Sequence, residues 1–155
     1  MLKKPITPRR GWTIPGILIG TAILVFAHTA MPQTPPATET FRARLTPVAI
    51  DVTMMSTVAG IGSLTAVLAG KQVTITGTFE GLRSPATTAQ IHRAPKGLHG
   101  PAILDLTISK AVKGAIRGSF ELTPEQTEDL RNGRWYVQIQ SEGAPDGNLW
   151  GWLLH

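Results

Sequence analysis

The chain has 155 residues, 42% of them hydrophobic and 16% charged, which suits one compact domain with an appendage rather than two domains. Cysteine is absent, and this excludes disulfides, thiolate metal sites, a catalytic cysteine and a lipid-carrying cysteine together. The formal charge of +5 is concentrated at the start, in Lys3, Lys4, Arg9 and Arg10; residues 41–155 carry eleven basic against nine acidic side chains, so a nucleic-acid partner has little support.

Residues 1–11 form a basic amino terminus, and residues 12–31 an apolar run that is uncharged from Ile14 to Ala27. As a helix from Pro15 to Met31 the run covers ~25 Å, against the ~30 Å hydrocarbon core of a bilayer. Trp12, Arg9 and Arg10 suit the membrane interface, and the positive end stays in the cytoplasm, which predicts a single-pass anchor with everything after it outside. A cleaved signal peptide fits the same run, with Val25-Phe26-Ala27 as its cleavage site. Residues 32–40, Pro-Gln-Thr-Pro-Pro-Ala-Thr-Glu-Thr, read as an extended Pro-rich linker reaching roughly 28 Å.

From Phe41 the period is two. Phe41, Ala43 and Leu45 alternate with Arg42 and Arg44, which predicts a strand with one face in the core. Val48 to Met54 reads as the next strand. Leu64, Ala66 and Leu68 repeat the alternation, Ala69-Gly70-Lys71 turns the chain, and Val73, Ile75, Gly77 and Phe79 return it as a hairpin. Further strands are predicted at Ala89 to His92, Ala102 to Ile108, Ala115 to Leu122, Arg134 to Ser141 and Asn148 to Leu154. Short strands parted by Gly and Pro predict an all-β antiparallel sandwich. One short helix interrupts them, with Thr123 as N-cap, Pro124 at the first helical position, Gln126 completing a capping box and Asn132-Gly133 as the stop. Glu125, Glu128 and Asp129 suit the helix dipole and are expected on a solvated face. Single glycines such as Gly77 and Gly118 read as bulges or close strand approaches.

Chemistry, if present, is expected between Thr88 and Pro101, which holds two of the four histidines. Gln90 and His92 share one face of its strand, Ala89 and Ile91 the other, and a loop rich in Pro and Gly follows. Elsewhere, Ser63, Ser84, Ser109, Ser119 and Ser141 stand in no nucleophile signature, and the glycines form neither a phosphate loop nor a dinucleotide fingerprint.

Several ordered blocks resemble the CHRD domain family, named after chordin and widespread in bacterial exported proteins. Phe41-Arg-Ala-Arg-Leu45 is similar to the family's Phe-x-Ala-x-Leu start, and Phe79-Glu-Gly-Leu82 to its strand ending in Gly-Leu. Ala89 to His92 followed by Gly97 to Leu104 resembles its Ala-His-Ile-His stretch before Gly-Pro. Tyr136 to Ser141 and Ala144 to Leu153 resemble its final two strands. The resemblance covers most of residues 41–155 and implies a Greek-key β-sandwich, immunoglobulin-like or superoxide-dismutase-like, with a poorly defined biochemical role.

Departures from the family pattern shape the functional expectation. Its His-x-His is Gln90-Ile91-His92 here, and its late-strand His is Gln140. Imidazole nitrogen binds copper or zinc well and a neutral amide oxygen poorly, so His92 and His99 remain as weak metal candidates and no cofactor is expected. Superoxide dismutation falls with the ligands. Gln90, His92 and Gln140 are instead expected to form a structural polar cluster, hydrogen-bonded across neighbouring strands and to the Pro-Gly loop. The family register turns Leu149, Gly151 and Leu153 inward and Trp150 and Trp152 outward, where the family has Arg and Gln. An outward pair is either a partner-binding surface or a cover for the sandwich's own edge or for the turn around Pro145. A one-residue slip exchanges the two sets.

These features predict a non-enzymatic β-sandwich anchored in a bacterial inner membrane, amino terminus cytoplasmic and carboxy-terminal domain periplasmic. It would contact the lipid bilayer through the N-terminal helix and serve as an accessory or scaffolding subunit of an integral membrane protein complex, a photosynthetic or respiratory assembly being one such host. The alternatives are an exported binding module released by signal cleavage and a copper- or zinc-binding protein.

Overall fold

Alternation of apolar and polar side chains from Phe41 onward makes strands wherever it is not interrupted by Gly, Pro or a helix cap. The structure, a computed structural model, describes residues 37–47 and 52–155. Its strands are β1 (Thr38–Pro47), β2 (Ile61–Ala69), β3 (Gln72–Glu80), β4 (Ala86–Arg93), β5 (Ala102–Ile108), β6 (Gly114–Glu121), β7 (Trp135–Ser141) and β8 (Ala144–Trp152), with helix α1 (Pro124–Arg131) between β6 and β7. All pairings are antiparallel, in the order β1-β2-β3-β6-β5-β4-β7-β8, and β8 returns to β1.

The all-β antiparallel expectation with one short helix holds, but the sheet is a closed barrel rather than two open layers. Closure gives every strand two neighbours, which shortens the unpaired edge open to other chains. It is uneven: β2–β3 pairs over nine residue pairs, whereas β5–β6 has Thr107↔Arg117 and Ile108↔Ile116 alone. β8 meets β1 through Thr46↔Trp150 and Pro47↔Leu149, and Arg42 bridges Leu154 beyond the strand end.

Two boundaries differ from the sequence expectation. β1 begins within the expected linker, since Thr38, Glu39 and Thr40 already pair with Ala69, Leu68 and Val67. The strand expected from Val48 to Met54 is absent where it is described: Thr53–Ser56 is a single 3-10 turn, and residues 48–51 lie outside the described residues. Ser56 and Thr57 hydroxyls donate back to the Thr53 and Met54 carbonyls, at 3.2 and 3.1 Å, which favours a turn over extended chain. The expected anchor, residues 12–31 with Trp12, Arg9 and Arg10, also lies outside the described residues. Among those that are described, no helix is long and apolar enough to cross a membrane.

Inward-facing side chains from every strand fill the barrel, Phe41, Leu45, Leu64, Ile75, Ile91, Ile116, Ile139 and Leu149 among them, each at most 2% exposed. Burial of each such side chain contributes roughly 1.5–3 kcal/mol. The β2–β3 hairpin turns at Gly70, whose φ of 62° is the left-handed conformation that favours glycine. Gly77 is a close strand approach, as expected: a Cβ there would lie 2.5 Å from the Ser63 carbonyl oxygen and 3.0 Å from the Leu64 Cα.

Helix α1 is capped as its sequence predicts. The Thr123 hydroxyl accepts from the Gln126 N–H at 3.2 Å, and the Gln126 side-chain oxygen accepts from the Thr123 N–H at 2.9 Å. Arg131 in its last turn reaches Glu39 at the start of β1, with Nη2 2.6 Å and Nε 3.2 Å from Oε1. The hydrogen bond from Arg131 holds the Glu39 carboxyl below the ordinary carboxylate range, and the same contact raises the guanidinium.

Gly77→Ala should cost about 1–3 kcal/mol, because the clashing atoms are backbone and the strands must part. Urea unfolding followed by tryptophan fluorescence reads this, and an unchanged midpoint would contradict the close approach. A lowered folded-state pKa for Glu39 means that its contribution is fully present above the unfolded value and disappears as pH falls through the folded one. Wild type and Glu39→Gln should therefore differ in stability at neutral pH and converge in acid below the ordinary carboxylate range, as thermal unfolding across a pH series would show.

Candidate functional site

The Thr88–Pro101 stretch forms most of β4 and its connection to β5. On the outward face of this part of the barrel, pairing aligns Thr88 with Gln140, Gln90 with Gln138 and His92 with Tyr136, then Tyr136 with Trp152 and Gln138 with Trp150. The inward face carries Ala89, Ile91, Val137, Ile139, Leu149 and Leu153. The register expected for β8 is therefore the one found.

The connection folds back over this outer face. Leu98 N–H bonds the Pro95 carbonyl at 3.0 Å, Gly97 has a φ of 88°, and Arg93 N–H bonds the Pro101 carbonyl at 3.0 Å. Gly100 is the point of attachment. Its carbonyl accepts from His92 Nδ1 at 2.9 Å and from the Tyr136 hydroxyl at 3.3 Å, and its N–H lies 3.1 Å from that hydroxyl. A Cβ at this position would strike the Arg93 carbonyl. Because a carbonyl only accepts, the geometry places a proton on His92 Nδ1, while Nε2 is buried and without a protein partner among the described residues.

An aromatic row stands beneath the loop. His92 stacks on Tyr136 with centroids 4.9 Å apart, Tyr136 stacks on Trp150 at 5.4 Å, and His99 meets Trp150 edge-on at 4.4 Å. Trp150 is 3% exposed and Trp152 is half-buried beside it. The pair points outward as expected but is covered: the loop lies above, and the Trp150 indole nitrogen is 2.5 Å from where a Gly147 Cβ would stand. Packing near the turn around Pro145 thus accounts for Trp150. His92 and His99 touch different ends of the row, and among the described residues no three His, Cys, Asp or Glu side chains converge.

Gln90, His92 and Gln140 share the outer face without bonding to one another. Gln90 donates to Asp105 of β5 at 2.8 Å, Gln140 accepts from the Thr88 hydroxyl, and His92 holds the loop. Tyr136 and Gln138 complete the arrangement and were not legible as site residues; Gln138 donates to the Asp146 carbonyl at 2.7 Å. Their signal was the outward parity of β7.

The helix acids require a correction. Asp129 is not on a solvated face: its side chain is 4% exposed, 2.7 Å from Arg93 Nε and 3.4 Å from Arg134 Nη1. Glu125, also 2.8 Å from Arg93, and Glu128 are the exposed members. Two arginines compensate the desolvation of one carboxylate, which fastens α1 to the end of β4.

Tyr136→Phe should lower stability by about 1 kcal/mol and release the β4–β5 loop, because the Gly100 N–H loses its acceptor. Hydrogen exchange at Gly100 would accelerate relative to Ile91 in the same strand. Equal acceleration at both positions would mean that the hydroxyl does not hold the loop.

No curated protein and no solved structure matches the chain. The family model described as "CHRD domain" matches residues 41–153, from the start of the β1 core face to the inward Leu153. By that match, the chain belongs to the CHRD domain family.

Proposed function

We propose that this protein is a non-enzymatic CHRD domain held at a bacterial inner membrane by its N-terminal segment, acting from the periplasm as an accessory subunit of a larger integral membrane protein complex. Membership in a family of non-catalytic binding modules is consistent with this reading. The strand order, with its sparse pairing at β5–β6 and β8–β1, supports a flattened Greek-key form of the superoxide-dismutase-like kind.

The observation that carries the proposal is the difference between the two ends of the barrel. β1 enters at the end that holds α1 and the β4–β5 loop. The opposite end gathers the β1–β2, β3–β4, β5–β6 and β7–β8 connections. These are laced together: Arg83 donates to the Ser56 carbonyl, Leu82 N–H to Val112 at 3.1 Å, and Glu142 N–H to Pro85 at 3.0 Å. Asn148, fully buried, accepts from the Ala59 N–H and donates to Ser141. On this fixed base stand large apolar side chains in water, Val52 at 82%, Met55 at 64% and Val112 at 43% exposure. Apolar side chains gathered on rigid loops fit a partner surface. The docking surface in this reading is the loop end, since Trp150 and Trp152 are engaged in holding the β4–β5 loop.

Native electrophoresis of mildly solubilised membranes tests the proposal. The wild-type chain should migrate with a large assembly, and Val52→Ser/Met55→Ser/Val112→Ser should migrate alone with an unchanged thermal midpoint. Undisturbed co-migration would reject the loop end as the docking surface. A mature chain found by mass spectrometry to begin at His28 would replace the anchored subunit with a freely exported module.

A further inference from the structure

The described domain contains seven arginines, at positions 42, 44, 83, 93, 117, 131 and 134, and they fall into two groups. Arg93, Arg131 and Arg134 pair with carboxylates, and Arg83 donates to a backbone carbonyl. Arg42, Arg44 and Arg117 have no side-chain partner among the described residues, and all three project from the same outer face, that of β1-β2-β3-β6.

Register makes this face orderly. One lateral row reads Arg42, Thr65, Thr76, Arg117, and the next Arg44, Ser63, Thr78, Ala115. At about 4.8 Å per strand, guanidiniums flank a strip of hydroxyls roughly 14 Å wide. The strip is concave: a hollow of about 760 Å³ includes Arg42, Arg44, Ser63 and Thr78 in its lining, with Glu80 among them. A second hollow of about 390 Å³ shares Ser63, Thr65 and Thr78 with it and extends to Arg117. The domain is nearly neutral in total, and the three arginines without a side-chain partner among the described residues all stand on this one trough.

We propose that the trough binds an extended carboxylate-bearing polysaccharide, with the uronate groups on Arg42, Arg44 and Arg117 and the sugar hydroxyls on Ser63, Thr65, Thr76 and Thr78. Guanidinium matches a carboxylate in planar, two-point geometry, and short hydroxyl side chains on a paired sheet both donate and accept with little ordering cost. The chemistry disfavours other polyanions. No aromatic side chain stands on this face to stack a nucleic-acid base, and β2 and β3, paired on both sides, offer no edge for an added peptide strand. The site shares no residue with Val52, Met55 and Val112 and stands whether or not the loop end docks a partner.

The test is binding of the full-length protein, in detergent micelles, to polygalacturonate at low salt. Wild type should bind, and Arg42→Gln/Arg44→Gln/Arg117→Gln should bind about tenfold or more weakly, as expected from the sum of three exposed ion pairs. A charge-matched control, Lys96→Gln/Lys110→Gln/Lys113→Gln, should bind as wild type, and fully methyl-esterified polygalacturonate should not bind at all. The proposal is overturned if wild type ignores polygalacturonate, if the two triple variants weaken it equally, or if the neutral ester binds as well. It is also overturned if single-stranded DNA or phosphatidylglycerol vesicles bind more tightly and lose more with the arginine variant. Thermal unfolding of each variant confirms that the fold is intact, since all six side chains are on the surface or in loops.

Discussion

Closure of the sheet is the constraint on which the rest of the molecule depends. Once β8 returns to β1, each strand has a neighbour on both sides, and a period of two divides every strand between a sealed interior and an outer wall. The interior takes Phe41, Leu64, Ile75, Ile91, Ile139 and Leu149 without a disulfide to assist it. The wall is then free to vary, and its two sides have diverged. Over β4, β7 and β8 it is aromatic and covered by the chain's own loop; over β1, β2, β3 and β6 it is hydroxylated, cationic and open.

The covered side shows how a few polar groups can fix a loop over an aromatic surface. Gly100 is held by an imidazole and a phenol at once, so the loop remains fixed although glutamines stand at Gln90 and Gln140. His92 is a hydrogen-bond donor to the backbone, and its other ring nitrogen is buried without a partner among the described residues. The arrangement positions a loop, and Trp150 contributes by filling the space beneath it.

Local patterns were readable in the sequence because their physics is local. The Gly70 hairpin, the Thr123 capping box and the inward register of Leu149, Gly151 and Leu153 each depend on neighbours a few residues away or on parity alone. Contacts between distant segments were not readable. Nothing near Asp129 announces Arg93, thirty-six residues earlier, so a carboxylate in a polar helix reads as solvated until the strand end arrives beside it. Trp150 likewise points outward by parity, and parity says nothing of a loop that comes from residues 94–101. Val52 and Met54 alternate like a strand, but Ser56 and Thr57 satisfy backbone carbonyls locally.

The bridge between Arg42 and Leu154 joins residues more than a hundred positions apart, with backbone hydrogen bonds of 2.7 and 2.9 Å in both directions. A chain that emerges amino terminus first cannot make that bridge until its last strand is available, so Phe41, Ala43 and Leu45 remain without their complete enclosure throughout synthesis. A fold closed by so distant a contact forms more slowly than a helical domain of this size would. The same delay keeps the polypeptide threadable, a useful property in any protein that must pass a membrane before it folds.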